Sequence, residues 1–231
     1  MMYRPRFHPG QAEICAEGIG TPCSSRSKVR AMAAINLPAM AWTRQKRRWL
    51  IVVIMVSMLT IIFERCQNYN EHSQDQHILA AARKYQMDPS LIKAVVWRES
   101  RFNPRVRGTV GEVGLMQVGK LAGQEWAIAE KLLYYQHTDL FDPAKNTQAG
   151  TWYLRKMLRR YENTDSPAVY ALADYNAGRS NVLRWTKGAA TTNSAAFLKQ
   201  MDFPRTRDYL RAILKRQPRY QKEFASMEKG A

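Results

Sequence analysis

Three short stretches carry residue types with usable chemistry. "VVWRES" (95–100) ends an apolar run on a carboxylate, Glu99; "GEVGLMQVG" (111–119) sets two glycines three apart before Leu115, Met116 and Gln117; "DYNAG" (174–178) puts Tyr175 and Asn176 ahead of Gly178. With about 100° of turn per residue and Ile92 at 0°, Val95 falls near −60°, Val96 near +40° and Glu99 near −20°. Glu99 therefore points with the apolar stripe, one turn past its end. Burial disfavours the charged form of a carboxyl and raises its pKa. A carboxyl still protonated near neutral pH is what a general acid requires. The ordinary alternative is a solvated Glu paired with Arg98, Arg101 or Arg105.

The other two stretches have equally plain alternatives. Glycines allow a tight turn and a close backbone approach to a ligand. Gln117 offers a donor and an acceptor, as sugar hydroxyls and amides require. The same segment also reads as an ordinary turn before a core Leu-Met pair. "DYNAG" also reads as a helix stop capped by Asn176.

Those residues must be positioned by helices. "QHILAAARKYQ" (76–86) is a first. "DPSLIKAVVWRES" (88–100) is a second, with Asp88 as N-cap and Pro89 at the first helical position. "NTQAGTWYLRKMLRRYEN" (146–163) is a third, its apolar side formed by Trp152, Tyr153, Leu154, Met157, Leu158 and Tyr161. "SPAVYALADYNAG" (166–178) is opened by Ser166-Pro167 and stopped by Gly178. "SNVLRW" (180–185) is short, and "TRDYLRAILKR" (206–216) is the last. No strand-like alternation competes, so the expectation is an all-α domain.

"WLIVVIMVSMLTIIF" (49–63) is apolar on all sides and follows the basic "RQKRR" (44–48). Fifteen residues is short for a span, which usually takes about 20. A buried core helix and a cleaved signal peptide compete, but no small-residue cleavage site follows Phe63. The reading is a single-pass anchor, basic side cytoplasmic, with the rest beyond the membrane. The expected organisation is a basic, disordered segment at 1–48, the anchor at 49–65, a tether at 66–75, a catalytic domain at 76–214 and a polar tail at 215–231. "MAWTRQKRRWLIVV" from Met40 reads as the start of translation.

The chain has 36 Lys+Arg against 19 Asp+Glu, and residues 1–48 hold nine basic and two acidic residues. Such a balance points to an anionic neighbour: nucleic acid, lipid or an acidic polymer. Nucleic acid is disfavoured, because no helix-turn-helix, zinc spacing or aromatic RNA motif is present. The three cysteines all precede residue 67, so the globular part has no disulfide. Cys66, His72 and His77 match no usual metal spacing, and no cofactor is indicated.

Taken together, "ES" (99–100), "GLMQ" (114–117) and "YNAG" (175–178) resemble the lytic transglycosylase family, whose relatives include the goose-type lysozymes. "LIKAVV" (91–96), "FNP" (102–104), "FDPAKN" (141–146) and "GTWYL" (150–154) support the resemblance, which covers about residues 76–214. It implies a lysozyme-like helical domain behind the N-terminal membrane-anchoring helix, with a cleft for peptidoglycan glycan strands. It implies Glu99 as the single catalytic acid/base, and Gln117, Tyr175, Asn176, Met116, Ser100 and Tyr209 as residues that contact the sugar or shape the site. The implied reaction cleaves the bond between N-acetylmuramic acid and N-acetylglucosamine and leaves a 1,6-anhydromuramoyl end. The implied location is the bacterial inner membrane, with the domain on the periplasmic side. A protein partner in an envelope complex stays open.

Three departures stand out. Where the family often carries Ser-Pro-x-Gly-Ala, this chain has "GTVGE" (108–112). Gly108 thus takes the place of Ser, leaving Thr109 as a nearby hydroxyl, and Glu112 the place of Ala. Arg205 stands where the family has Glu, before Tyr209. A cleft-facing Glu112 would activate water and favour hydrolysis. The competing functions are therefore a lysozyme-like hydrolase and a catalytically weak peptidoglycan-binding scaffold.

Overall fold

The computed structural model describes residues 43–229. The chain divides into two units, Met1–Arg48 and Trp49–Ala231, and all the packing below belongs to the second. The start at Met40 and most of the disorder expected at 1–48 fall on residues 1–42, outside the described residues; Arg44 to Arg48, also expected to be disordered, instead form the first residues of α1. Among those described, every regular element is helical, as expected. The helices are α1 (Arg44–His72), α2 (Asp75–Tyr85), α3 (Pro89–Ser100), α4 (Lys120–Ala129), α5 (Pro143–Arg160), α6 (Pro167–Ala177), α7 (Arg179–Trp185), α8 (Ser194–Gln200) and α9 (Pro204–Lys229). Short 3-10 turns cover His137–Phe141 and Gly188–Thr191.

α3 is the spine of the lobe. Asp88 accepts a 2.8 Å bond from the Ser90 amide, and Pro89 needs no partner for an N–H it lacks. Ile92, Val95 and Val96 have no exposed surface. α3 lies along α9, and α5 packs on α2, α4 and α6. Leu154, Tyr170, Leu172, Trp185 and Phe197 complete the core. Burying each such side chain contributes about 1.5–3 kcal/mol.

Two helices escape the sequence reading. α4 carries its apolar residues on all sides, with Leu121 and Ile128 exposed and Trp126 buried, so no stripe appears. It also contains Gly123, where a Cβ would collide with the Tyr135 hydroxyl. α8 is seven residues long and buries only Phe197.

The expected tether and tail are both ordered helix. α1 continues past the apolar stretch to His72, and Glu71 is enclosed. Its carboxylate accepts from the Tyr220 hydroxyl at 2.6 Å, Arg216 at 2.7 Å and Arg219 at 3.2 Å. Burial pushes the Glu71 pKa up, but those bonds outweigh it and hold the carboxyl below its ordinary range. The "polar tail" is the C-terminal half of α9, which buries Tyr220 and Phe224. Lys93, inside the "LIKAVV" run, is fully enclosed. It pairs with Asp75 at 2.7 Å and Glu223 at 3.5 Å, so α2, α3 and α9 share one buried ionic cluster. The side chains of Trp49 to Phe63 stay exposed, and α1 is long and apolar enough to cross a membrane.

Candidate active site

Glu99 sits in the last turn of α3 and is half-buried, as its angle on the helix requires. The Tyr209 hydroxyl, from α9, donates to Glu99 Oε1 at 2.6 Å. Burial raises the Glu99 pKa to about 7; the Tyr209 bond and Arg98 pull it down, and Glu112 pushes it up. The carboxyl is thus poised to give up and take back a proton near neutral pH. Tyr209 and Tyr175 are held well above the ordinary phenol range by burial and by the nearby Glu99 carboxylate. Both stay hydroxyl donors.

α3 ends on two consecutive left-handed residues, Arg101 (φ 53°) and Phe102 (φ 65°). This turn buries Phe102 and starts the loop that leads to Gln117. Gly114 has φ 78°, and a Cβ there would meet the Leu140 carbonyl and Asn146. Asn146, the last residue of "FDPAKN", is fully buried. Its oxygen accepts from the Met116 amide at 2.8 Å, and its nitrogen donates to Val113 O at 2.8 Å and Leu140 O at 2.7 Å. One side chain therefore pins the whole glycine turn.

The glycine turn fixes Gln117 in a left-handed conformation (φ 45°). Its nitrogen donates to Val106 O at 3.1 Å and Gly114 O at 2.8 Å. Both partners are carbonyls, which assigns the amide orientation. Gln117 therefore offers a ligand its oxygen alone, a correction to the expectation of donor and acceptor together. Tyr175 donates to Met116 O at 2.8 Å and meets Tyr153 edge-on at 6.1 Å. Asn176 is exposed and accepts from Thr206 Oγ1 at 2.9 Å.

Two expected site residues have no free group to offer. Met116 has no exposed surface; a Cβ on Gly150 would come within 2.7 Å of Met116 Cβ, which explains the glycine there. Ser100 is buried and donates to Val96 O at 3.1 Å. Both shape the site from behind rather than line it. Asp174 went unnoticed in the sequence; it is buried and held by Arg160 and the Tyr161 hydroxyl, fixing the turn of α6 that carries Tyr175. The signal was an acidic residue on the apolar side of that helix.

Glu112 turns inward. A Cβ at Gly108 would overlap the Glu112 carboxylate and lie 3.0 Å from Gln117 Oε1. Glu112 also accepts from the Val110 amide at 3.2 Å, whereas Thr109 is exposed. The space over Gly108 is thus filled by a carboxylate.

An all-helical lobe with a half-buried glutamate at the end of its spine, bonded by Tyr209, defines the lysozyme-like class. The transglycosylase SLT domain matches residues 76–198, more than half of the chain, and the chain belongs to that family. It is 30% identical over 129 residues to the soluble lytic murein transglycosylase of Escherichia coli, covering 54% of this chain and 19% of that one. It is 33% identical over 148 residues to the membrane-bound lytic murein transglycosylase C of Salmonella arizonae, covering 62% and 41%. With the membrane-bound lytic murein transglycosylase F of Desulfosudis oleivorans it shares 33% over 105 residues, 44% and 21% of the two chains. The chain thus spans about a fifth to two fifths of these relatives. The crystal structure of the 70 kDa soluble lytic transglycosylase of Escherichia coli aligns with a TM-score of 0.58 at 26% identity, over 64% and 24% of the chains. A complex of the 70 kDa soluble lytic transglycosylase with bulgecin A aligns at 0.61 and 22%, over 77% and 29%, which speaks to the fold alone.

Proposed function

We propose that the chain is a membrane-anchored peptidoglycan lytic transglycosylase in which Glu99 is the only acid/base. The observation that carries this is the half-buried Glu99 carboxyl, with its pKa near 7 and Tyr209 bonded to one oxygen. Family membership supplies the substrate class, a glycan strand of alternating N-acetylmuramic acid and N-acetylglucosamine.

Protonated Glu99 donates to the glycosidic oxygen, and the bond from that oxygen to the muramoyl anomeric carbon breaks. The substrate's own N-acetyl oxygen takes the place of the second carboxylate that most glycosidases use. The Glu99 carboxylate, steadied by Tyr209, then removes the proton of the muramoyl 6-hydroxyl. That oxygen attacks the anomeric carbon, closes a 1,6-anhydro ring and returns Glu99 to its acid form. The free Gln117 oxygen and the Asn176 amide face the sugar as polar contacts. Tyr175 holds the Met116 carbonyl, and Met116 and Ser100 support from behind.

The apolar stretch 49–63 anchors the chain in the bacterial inner membrane, with Arg44 to Arg48 cytoplasmic and the catalytic lobe in the periplasm. A lobe fixed there cuts wall close to the membrane. Incubation of the full chain with purified peptidoglycan tests the activity: strands dissolve with the native chain and persist with Glu99→Gln.

One observation favours a second outcome. The inward carboxylate of Glu112 is near enough to influence Glu99, and a second carboxylate would activate water and give hydrolysis. Val110 N–H holds Glu112 against Gly108, which favours the role of neighbour over that of base.

A further inference from the structure

On the far side of α3 from Glu99 lies a pocket of about 300 Å³ lined by Glu71, Trp97, Arg101, Phe102 and Arg216. Trp97 precedes Glu99 by two residues, which places it about 160° round the helix. The pocket is therefore separate from the catalytic face. The Arg101 guanidinium carbon sits 3.9 Å from the centre of the Trp97 ring, and that of Arg216 sits 4.2 Å from it. Glu71 is fully engaged by Tyr220, Arg216 and Arg219. Arg101 makes no ion pair among the described residues. Two like charges thus share one indole, and the pocket's one carboxylate, Glu71, is paired with Arg216 rather than Arg101. Burial, Arg216 and Arg98 disfavour the charge on Arg101 and outweigh the opposing pull of Tyr220 and Glu71. Arg101 is the left-handed C-cap of α3 (φ 53°), its amide bonded to Trp97 O at 3.2 Å, which keeps it one helical turn beyond that indole. A groove beside it, lined by Trp97, Lys215, Arg216 and Arg219, extends the basic surface along α9.

The anchor gives this surface a height above the bilayer. Glu71 follows Phe63 by eight residues of unbroken helix, about 12 Å of rise. The apolar stretch is about 22 Å long against a hydrocarbon core of about 30 Å, so both helix ends are drawn inward or the bilayer thins. The headgroup layer itself adds only about 5–8 Å on each side. The pocket is then level with, or just above, the headgroups. Because Glu71 ties α1 to α9, the lobe cannot swing away as it would on a loose tether.

We propose that the Trp97–Arg101–Arg216 pocket binds the phosphate of an anionic phospholipid headgroup and so seats the catalytic lobe on the membrane surface. The guanidinium fork suits a phosphate, and the indole suits the interfacial layer. The proposal rests on the membrane-anchored reading above. A carboxylate of the wall's peptide stems is the competing ligand, disfavoured by the pocket's position on the opposite face of α3 from Glu99.

The test reconstitutes the full chain in vesicles of phosphatidylcholine alone, or of equal parts phosphatidylcholine and phosphatidylglycerol, and follows amide hydrogen exchange across residues 97–104. Flotation with the neutral vesicles tests the anchor separately: failure to float overturns the anchor, while the pocket is still read on the anionic vesicles. The expected result is slower exchange only with phosphatidylglycerol. That protection should fall by about fivefold in Arg101→Ala, the worth of one arginine near an anionic surface. Arg101→Lys keeps the charge and loses the fork and the stacking, and should lose most of the protection too. Full protection in Arg101→Lys would mean diffuse charge attraction and overturn the pocket. Protection by soluble stem-peptide muropeptides but not by phosphatidylglycerol would reassign it to the wall. No protection by either would end the proposal.

Discussion

Tyr209 donates its hydroxyl hydrogen to Glu99 Oε1 at 2.6 Å across a sequence separation of 110 residues. The bond ties the C-terminal helix to the carboxyl at the end of the spine. It favours the ionised form of Glu99, while burial favours the neutral one, and burial is the larger effect.

Tyr209→Phe should therefore raise the Glu99 pKa above its value of about 7. A general acid works while protonated, so the fall in kcat/KM on the alkaline side should move to higher pH. A bond to a charged group is worth about 1.5–3 kcal/mol, or about 1–2 pH units. A limb that moves to lower pH would show that Tyr209 acts otherwise.

Glu99→Gln should change stability in a pH-dependent way. The folded pKa lies above the unfolded one, so protonated Glu99 contributes stability that is fully present below about 4.5 and lost as pH rises through about 7. Glutamine does not titrate. The variant should match the native chain at low pH and exceed it above neutrality by roughly 1–3 kcal/mol. Urea unfolding at a series of pH values reads this directly, and equal stability at all pH values would mean that Glu99 is solvated.

Asn146 satisfies three backbone groups of the glycine turn without exposure to water. Asn146→Ala leaves them without partners and should cost about 2–4 kcal/mol. Turnover should fall further than stability explains, because Gln117 sits on the turn it pins. Unchanged kcat in the folded fraction would remove the loop from the site.

Gly108 and Glu112 should behave as one unit. Gly108→Ser displaces the Glu112 carboxylate and should cost about 1 kcal/mol; in a Glu112→Ala background the same change should be nearly free. Glu112→Ala should also shift the alkaline limb downward, since Glu112 pushes the Glu99 pKa up. Simple additivity of the two substitutions in a double-mutant cycle would separate them.

Much of this was legible in the chain. The angle of Glu99 on its helix foretold its burial, because a 3.6-residue period decides which side a residue faces. Asp88-Pro89 and Ser166-Pro167 marked real helix starts, the first through the Ser90 amide bonded to Asp88 and both through the fixed φ of the proline; Ser166 itself makes no side-chain cap. What stayed hidden depends on distant partners. Glu71 lay in the polar stretch and Lys93 inside an apolar run, and nothing local to either pointed to Tyr220, Arg216 and Glu223, more than a hundred residues away, which pair with them. Polar composition at 66–75 and 215–231 therefore looked like tether and tail. The inward turn of Glu112 depended on the missing side chain at Gly108, and Gln117 spent its donors on carbonyls that only the folded loop supplies.

The most direct test of the central claim is mass analysis of the muropeptides that the full chain releases from purified peptidoglycan, beside those from Glu99→Gln. Products ending in 1,6-anhydromuramic acid, one water lighter than hydrolysis products and lost in the variant, are the predicted result. Reducing ends in their place, abolished by Glu112→Gln, would contradict the single-glutamate mechanism and make the chain a hydrolase with two carboxylates.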